Sequence, residues 1–538
     1  MTRARAVRWA CVAAAALGLG LLAVAATPEV GADRLLAAPQ AEPGNWLTYS
    51  GDYSGRRHSP LTQIHVGNVA RLRPVWVYQY RERAKVQTSP LVIDGILYLT
   101  EGPYIVTALE ARGGRALWST RFDAKGGARG CCGKPNRGLA ALDDALFHVT
   151  FDGRLMAIDR RSGKPRWEVT VADHRSGYSL TGAPLALPGR IIVGVAGGDF
   201  GIRGHLDAYD PQTGRLLWRF WTVPGPGEPG HESWAGDSWK TGGAPTYVTG
   251  TYDPKTHTLY WTTGNPGPDW NGDERAGNNL YSDSLLALDP DNGKLKWHFQ
   301  FTPHDVHDWD ATQVPVLVDT TDGTGTRRLV ATANRNGFFY VIDRDTGRFV
   351  AGRPYVRQNW AQGLDANGRP IALPESAPTP EGTLVYPGGS GGTNWFSPSY
   401  SPATGLFYVN AIDDHPQVFH KMRTPYRAGR AFEGGATVDL PGHEPSGSIK
   451  ALDALTGETR WSFALHSPSY AGLLSTAGGV VFGGTGEGHF IALDAKCSPL
   501  WSFQTGGQIT ANPVTFMVDG RQHVAIASAG ALFVFALD

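Results

Sequence analysis

The stretch "AYDPQTGRLLW", residues 208–218, decides the fold. A short apolar run ends at Asp210, and Pro-Gln-Thr-Gly then makes a tight turn in which Gly214 takes positive φ. A second strand follows, with Trp218 on its inward face. The same pattern appears as "ALEARGGRALW" ending at Trp118, "AIDRRSGKPRW" at Trp167 and "ALDPDNGKLKW" at Trp297. It returns as "VIDRDTGRF" (341–349), "ALDALTGETRW" ending at Trp461 and "ALDAKCSPLW" ending at Trp501. Near the start, "RLRPVWVYQY" puts Trp76 in the same role without the preceding turn, which makes eight units.

Upstream of each unit lies a further hairpin, such as "SPLVIDGILYLT" with Asp94-Gly95, or "RGLAALDDALFHVTFDGRLMAID" with Asp152-Gly153. Asp-Gly between alternating apolar residues is a strong short-range hairpin signal. Four strands per unit, eight times over, predict an all-β chain folded as an eight-bladed β-propeller with tryptophan-docking motifs. A β-sandwich pair or a solenoid is the competing arrangement. The 69 glycines and 17 tryptophans agree with many tight turns plugged by large rings. The units are unevenly spaced, because long insertions interrupt the later ones: "GHESWAGDSWKTGG" (230–243), "GNPGPDWNGDERAGNNLYSDS" (264–284) and "YPGGSGGTNWFSPSY" (386–400). Long loops on a rigid scaffold usually carry function, so the site is expected on the face they share.

Charge excludes one class of partner. Lys+Arg and Asp+Glu number 49 each with no basic run, which argues against nucleic acid. The N-terminus reads as an export signal over residues 1–25: Arg3, Arg5 and Arg8, an apolar run, then Ala23-Val24-Ala25 as a small-x-small cleavage pattern. An uncleaved anchor helix is the alternative. Residues 26–44 read as a linker and 45–538 as a single propeller domain, soluble and exported once the signal is removed. No C-x-x-C-H occurs, so this sequence has no site for covalent c-type haem.

Two stretches carry chemistry. "ARGCCGKPNRG" (128–138) sets Cys131 beside Cys132 in a chain with four cysteines. Neighbouring Cα atoms lie about 3.8 Å apart, below the usual disulfide range of roughly 4.4–6.8 Å, so the pair is awkward to bridge. Cys497 is expected to be a buried thiol. "TPHDVHDWDATQ" (302–313) packs Asp305, Asp308 and Asp310 with two histidines. On a strand Asp308 and Asp310 would face opposite ways, but at a bulge or strand end they can converge and attract a hard cation. A solvated acidic loop would give the same string.

Together, the eight tryptophan units, Cys-Cys followed by Arg137, "TGNPGPDWN" and "HDWDA" resemble the quinoprotein dehydrogenases. These are periplasmic enzymes of the methanol/ethanol dehydrogenase type that use pyrroloquinoline quinone (PQQ). The resemblance spans Trp46 to Asp538. It implies that Cys131 and Cys132 form a vicinal disulfide against one face of the quinone, and that Arg137 pairs with a quinone carboxylate. Thr181, Gly197, Gly198, Asn394 and Trp395 are implied as cofactor contacts, and Asn265 as a metal ligand. Asp308 is implied as the catalytic aspartate and a ligand, Arg335 as the donor to the reactive quinone oxygens, and Trp270 as a wall of the substrate pocket.

Three positions depart from the methanol-oxidising pattern. Asp199 stands where a metal-ligating glutamate is usual, Tyr247 where a tryptophan stacks on the quinone, and Gln87 where a glutamate hydrogen-bonds it. Asp310, two residues after Asp308, resembles the branch that uses lanthanides, since an extra carboxylate offsets a trivalent charge. The implied ion is Ca2+ or a trivalent lanthanide. The implied activity is oxidation of primary alcohols to aldehydes, with Asp308 as base and a periplasmic cytochrome c as acceptor. Oxidation of an aldose or polyol is the enzymatic alternative, and a non-catalytic propeller scaffold the alternative from another class. A homodimer is compatible with the resemblance.

Overall fold

Each unit closes one blade, and the described residues form eight blade sheets: seven are four-stranded and antiparallel, and in the eighth the short strand His58–Ser59 adds a fifth strand, parallel to Leu473–Thr476. The computed structural model describes residues 29–82, 86–322 and 325–538. The expected export signal lies outside them. The third blade is typical, with strands Leu185–Leu187, Arg190–Gly194, His205–Tyr209 and Leu216–Trp221 in that order from the axis outward. Inner strands are buried along their length, while an outer strand such as Pro165–Thr170 alternates between half-buried and exposed positions. The last blade is closed by the chain's own beginning: Leu72–Gln79 pairs antiparallel with Ala531–Leu537. Closure in this way leaves few open sheet edges.

The tryptophans join blade to blade. Trp118 Nε1 donates to the Arg160 carbonyl at 3.2 Å, Trp167 to Pro211 at 3.2 Å and Trp218 to Pro290 at 2.9 Å. Trp461, Trp501 and Trp76 do the same to Ala495, Leu72 and Ala111. Each acceptor lies in the next blade, just after its turn carboxylate (Asp, or Glu110 before Ala111), or at the start of the closing strand for Leu72. The Asp side chain builds that turn: Asp210 Oδ1 accepts from the backbone N–H of Gln212 and Thr213 and from the Thr213 hydroxyl. The fifth unit differs. Phe349, in the tryptophan position, packs against an inserted hairpin of strands Ala361–Leu364 and Pro370–Ala372, whose turn residue Gly368 sits under its ring.

Antiparallel order fixes where loops emerge. Connections between the second and third strands, and from the fourth strand to the next blade, all leave at one end. The Asp-x-x-Thr-Gly turns leave at the other. The long insertions belong to the first set, so the face away from the docking turns gathers them.

Two expectations change. The linker at 26–44 contains a helix, Ala32–Ala41, which buries Leu35 and Ala38 against the propeller, because an apolar stripe there gains more from burial than from water. Cys497 is half-buried, not buried, because its turn is one residue shorter than the others and puts Cys497 at positive φ near the surface.

The docking predicts a graded pair. Gly163 (φ 71°) and Gly189 (φ 70°) share a backbone conformation, but a Cβ at Gly163 would sit 2.5 Å from the Trp118 ring and one at Gly189 meets nothing within 4 Å. Both Gly→Ala changes cost about 1–2 kcal/mol of backbone strain. Gly163→Ala should lose about 1–3 kcal/mol more through overpacking, read as a lower thermal midpoint than that of Gly189→Ala.

Candidate active site

The shared face holds a cavity of about 360 Å³. Every site residue singled out in the sequence lines it: Gln87, Cys131, Cys132, Arg137, Thr181, Gly197, Gly198, Asp199, Tyr247, Asn265, Trp270, Asp308, Asp310, Arg335, Asn394 and Trp395. They come from connections of six different blades.

The 302–313 loop lies between strands Leu295–Gln300 and Val316–Asp322 and is neither a strand nor a bulge. It is built on itself. Asp305 is buried and accepts from the His307 N–H at 3.0 Å and the Trp309 N–H at 2.7 Å. The fully buried Trp309 ring stacks on His307 and donates to the Gly388 carbonyl. His307 Nε2 meets the Ser376 carbonyl and His304 Nδ1 the Gly277 carbonyl, so both histidines serve the loop. Asp308 has φ 59°, a left-handed turn that lets its carboxylate converge with that of Asp310.

Arg335 meets both. Its Nη2 donates to Asp308 Oδ2 at 3.1 Å and its Nη1 to Asp310 Oδ2 at 2.7 Å, while Nε and Nη2 also donate to the Gly389 carbonyl. Asp310 Oδ2 further accepts from the Tyr247 hydroxyl at 2.7 Å, and Oδ1 from the Asn265 N–H at 3.1 Å. A Cβ on Gly264 would lie 1.9 Å from Asp310 Oδ1, so this approach requires glycine. The Asp308 side chain keeps 20% of its surface exposed, toward the cavity.

Sequence reading missed two neighbours. Asp269 is 1% exposed, accepts from Asn265 Nδ2 at 2.7 Å through Oδ1, and leaves its buried Oδ2 without a partner. Arg275 is fully buried and donates to the Pro268 carbonyl, the Asp305 carbonyl and Asn279 Oδ1. It thereby ties the loop of Asn265 to the loop of Asp308. Nothing in "DERAG" announces this, because the acceptors are backbone carbonyls.

Asp308 and Asp310 thus meet one guanidinium, Asp199 lines the same cavity, and Asp269 stands behind Asn265. Burial pushes Asp308, Asp269 and Asp199 above the usual carboxylate range, and their mutual repulsion adds to it. Burial opposes the charge of Arg335, yet Asp308 and Asp310 hold its pKa above the ordinary value. Such a donor set suits a hard cation.

The other side of the cavity suits a flat polyanion. Arg137 is buried, donates to Thr181 Oγ1 at 2.8 Å, and lies 5.2 and 4.7 Å from the Tyr247 and Trp395 ring centroids. Its Nε and the Oε1 of Gln87 are buried without partners. Orphaned polar atoms of this kind mark places where a ligand belongs. The Cys131 and Cys132 sulfurs lie 2.7 Å apart at the cavity wall, on residues exposed to solvent.

Comparison with known proteins agrees with this fold. The family model described as "Glucose/ethanol/alcohol dehydrogenase, beta-propeller domain" matches residues 46–356, and a second propeller model, "Outer membrane protein assembly factor BamB", matches 445–536. The chain is 40% identical to the quinoprotein alcohol dehydrogenase PedH of Pseudomonas putida, over 94% of this chain and 90% of that one. It is 37% identical to the 1-butanol dehydrogenase (cytochrome c) of Thauera butanivorans, over 90% and 74% of the two chains. A solved structure titled "Europium-containing methanol dehydrogenase" superposes with a TM-score of 0.88 at 32% identity, covering 93% of this chain and 100% of that one. The chain belongs to the PQQ-dependent alcohol dehydrogenase family, whose cofactors are PQQ and a Ca2+ or lanthanide ion.

The tie made by Arg275 gives a test. Arg275→Met leaves the Pro268 and Asp305 carbonyls without their donor, a loss of about 1–3 kcal/mol for each. Hydrogen exchange should then rise together in residues 265–270 and 305–310 while the first blade stays protected. Faster exchange in one loop alone would show that Arg275 does not join them.

Proposed function

We propose that this protein oxidises primary alcohols to aldehydes in the periplasm, with Asp308 as general base, and passes the electrons to a c-type cytochrome. The observation that carries this reading is the convergence of Asp308 and Asp310 on Arg335 at the wall of the cavity. PQQ with its ion supplies, when bound, the two-electron oxidant and the Lewis acid. Asp199, Asn265, Asp308 and Asp310 would hold the ion. Gln87, Arg137, Thr181, Gly197, Gly198, Arg335 and Asn394 would hold the quinone between the Tyr247 and Trp395 rings and the Cys131–Cys132 pair, joined as a vicinal disulfide in an oxidising compartment.

Asp308 accepts the hydroxyl proton of the alcohol at its cavity-facing carboxylate. Arg335 fixes that carboxylate through Nη2 and favours its ionised form, the form a base must have. Buried donors such as Arg335 also favour negative charge developing beside them. Trp270, half-buried at the cavity wall, bounds the space left for the alcohol carbon chain. The cytochrome acceptor rests on the relative named for it, and the periplasmic location on the N-terminal signal pattern.

Asp308→Asn should lower dye-linked ethanol oxidation by about 10²–10⁴-fold, the usual worth of a positioned base, with PQQ binding unchanged by fluorescence titration. Wild-type turnover in that variant would remove Asp308 from the role. Stripping the ion with a chelator should abolish turnover, and adding back Ca2+ or La3+ should restore it. Turnover of glucose in preference to ethanol in the same assay would favour an aldose substrate.

A further inference from the structure

Resting on that reading of the cavity as a quinone and metal site, we propose that Tyr247 is a positioning residue for Asp310. Its phenol fixes which oxygen of that carboxylate is left for the ion.

A carboxylate offers about four lone-pair sites, two on each oxygen. Asp310 Oδ2 spends both of its own on strong donors, the Tyr247 hydroxyl at 2.7 Å and Arg335 Nη1 at 2.7 Å. Oδ1 takes one donor, the Asn265 N–H at 3.1 Å, and keeps one site open. Asp310 is therefore prepared to give a cation one oxygen and not two. Tyr247 is itself fixed from behind. Its ring belongs to a small apolar cluster with Tyr49, Ala183, Val248, Val314 and Trp395. The Arg137 guanidinium lies 5.2 Å from its centroid. The phenol thus connects the aromatic floor of the cavity to its acidic wall.

This connection depends on tyrosine. A tryptophan at 247 offers a larger ring but carries its N–H on the indole edge, with no hydroxyl at the far end of the ring. A phenylalanine keeps the ring and loses the donor. In that variant the freed lone pair of Oδ2 stays in a buried place beside the ring. Without ion the carboxylate can turn to relieve this, but with ion bound it is pinned, so the loss falls on the bound state. Hydrogen bonds to charged groups are worth enough that affinity should fall about tenfold or more.

The test is a Tb3+ luminescence titration of the full chain loaded with PQQ, comparing wild type, Tyr247→Phe, Asp310→Asn and the double variant. Fluorescence titration of PQQ runs beside it. Tyr247→Phe, which keeps the ring and loses only the hydroxyl, should bind Tb3+ about tenfold more weakly and lose less affinity for PQQ than for Tb3+. The inference expects that tenfold loss to vanish in the Asp310→Asn background. An unchanged Tb3+ affinity in Tyr247→Phe overturns the inference alone, as does an equal loss with and without Asp310. A wild-type chain that binds neither PQQ nor Tb3+ overturns the cofactor-site reading and this inference with it.

Discussion

The site depends on one buried guanidinium. Arg335 stands between Asp308 and Asp310 and also grips the Gly389 carbonyl, so it links three connections of the propeller in a single side chain. Two carboxylates so close in a desolvated place repel each other strongly, and a buried pair that loses its partner is left as an uncompensated charge. Arginine suits the position because its planar fork reaches several acceptors at once and stays charged. From it the contacts run outward: Asp310 to Tyr247 and Asn265, Asn265 to Asp269, Tyr247 to Arg137. Asp199 and Asn265 line the same cavity and add oxygen atoms of the kind a hard cation takes.

The scaffold holds this arrangement at a distance from its own joints. Docking tryptophans and their Asp-built turns lie at the opposite end from the site, so the propeller is closed by contacts the chemistry does not use. The N-terminal segment adds a second closure through the axis. Arg57 is buried, and its guanidinium donates to the carbonyls of Tyr49, Leu473 and Pro513 and to Ser89 Oγ. Burial without a carboxylate brings its pKa down to about 10. Tyr49 in turn packs under Tyr247 and Trp395 and shares its hydroxyl with Ser397 and Asn512. The floor of the cavity therefore rests on the chain's beginning.

Much of this was legible in the sequence, for identifiable reasons. Asp-x-x-Thr-Gly before a tryptophan is a local signal: the turn needs Asp for its N–H groups and Gly for its backbone. Sixteen site residues could be named because motifs mark them, and all line one cavity, although their roles rest on function tests. Hidden residues act through backbone or through distant partners. Arg275 bonds carbonyls, Asp269 orients an amide four residues earlier, and Tyr49 lies some 200 residues from the ring it supports. The convergence of Asp308 and Asp310 was open on sequence grounds, since a left-handed residue at 308 cannot be read from composition. The helix Ala32–Ala41 gives little signal in sequence, since its buried stripe is short and it contains Pro39.

The central claim is that these carboxylates exist to hold an ion beside a quinone. Anomalous diffraction from crystals grown with PQQ and a lanthanide tests it most directly. The account predicts a strong peak bordered by Asp199, Asn265, Asp308 and Asp310. An empty cavity, with the ion instead at the cluster of His257, Asp289 and Asp291, would contradict it.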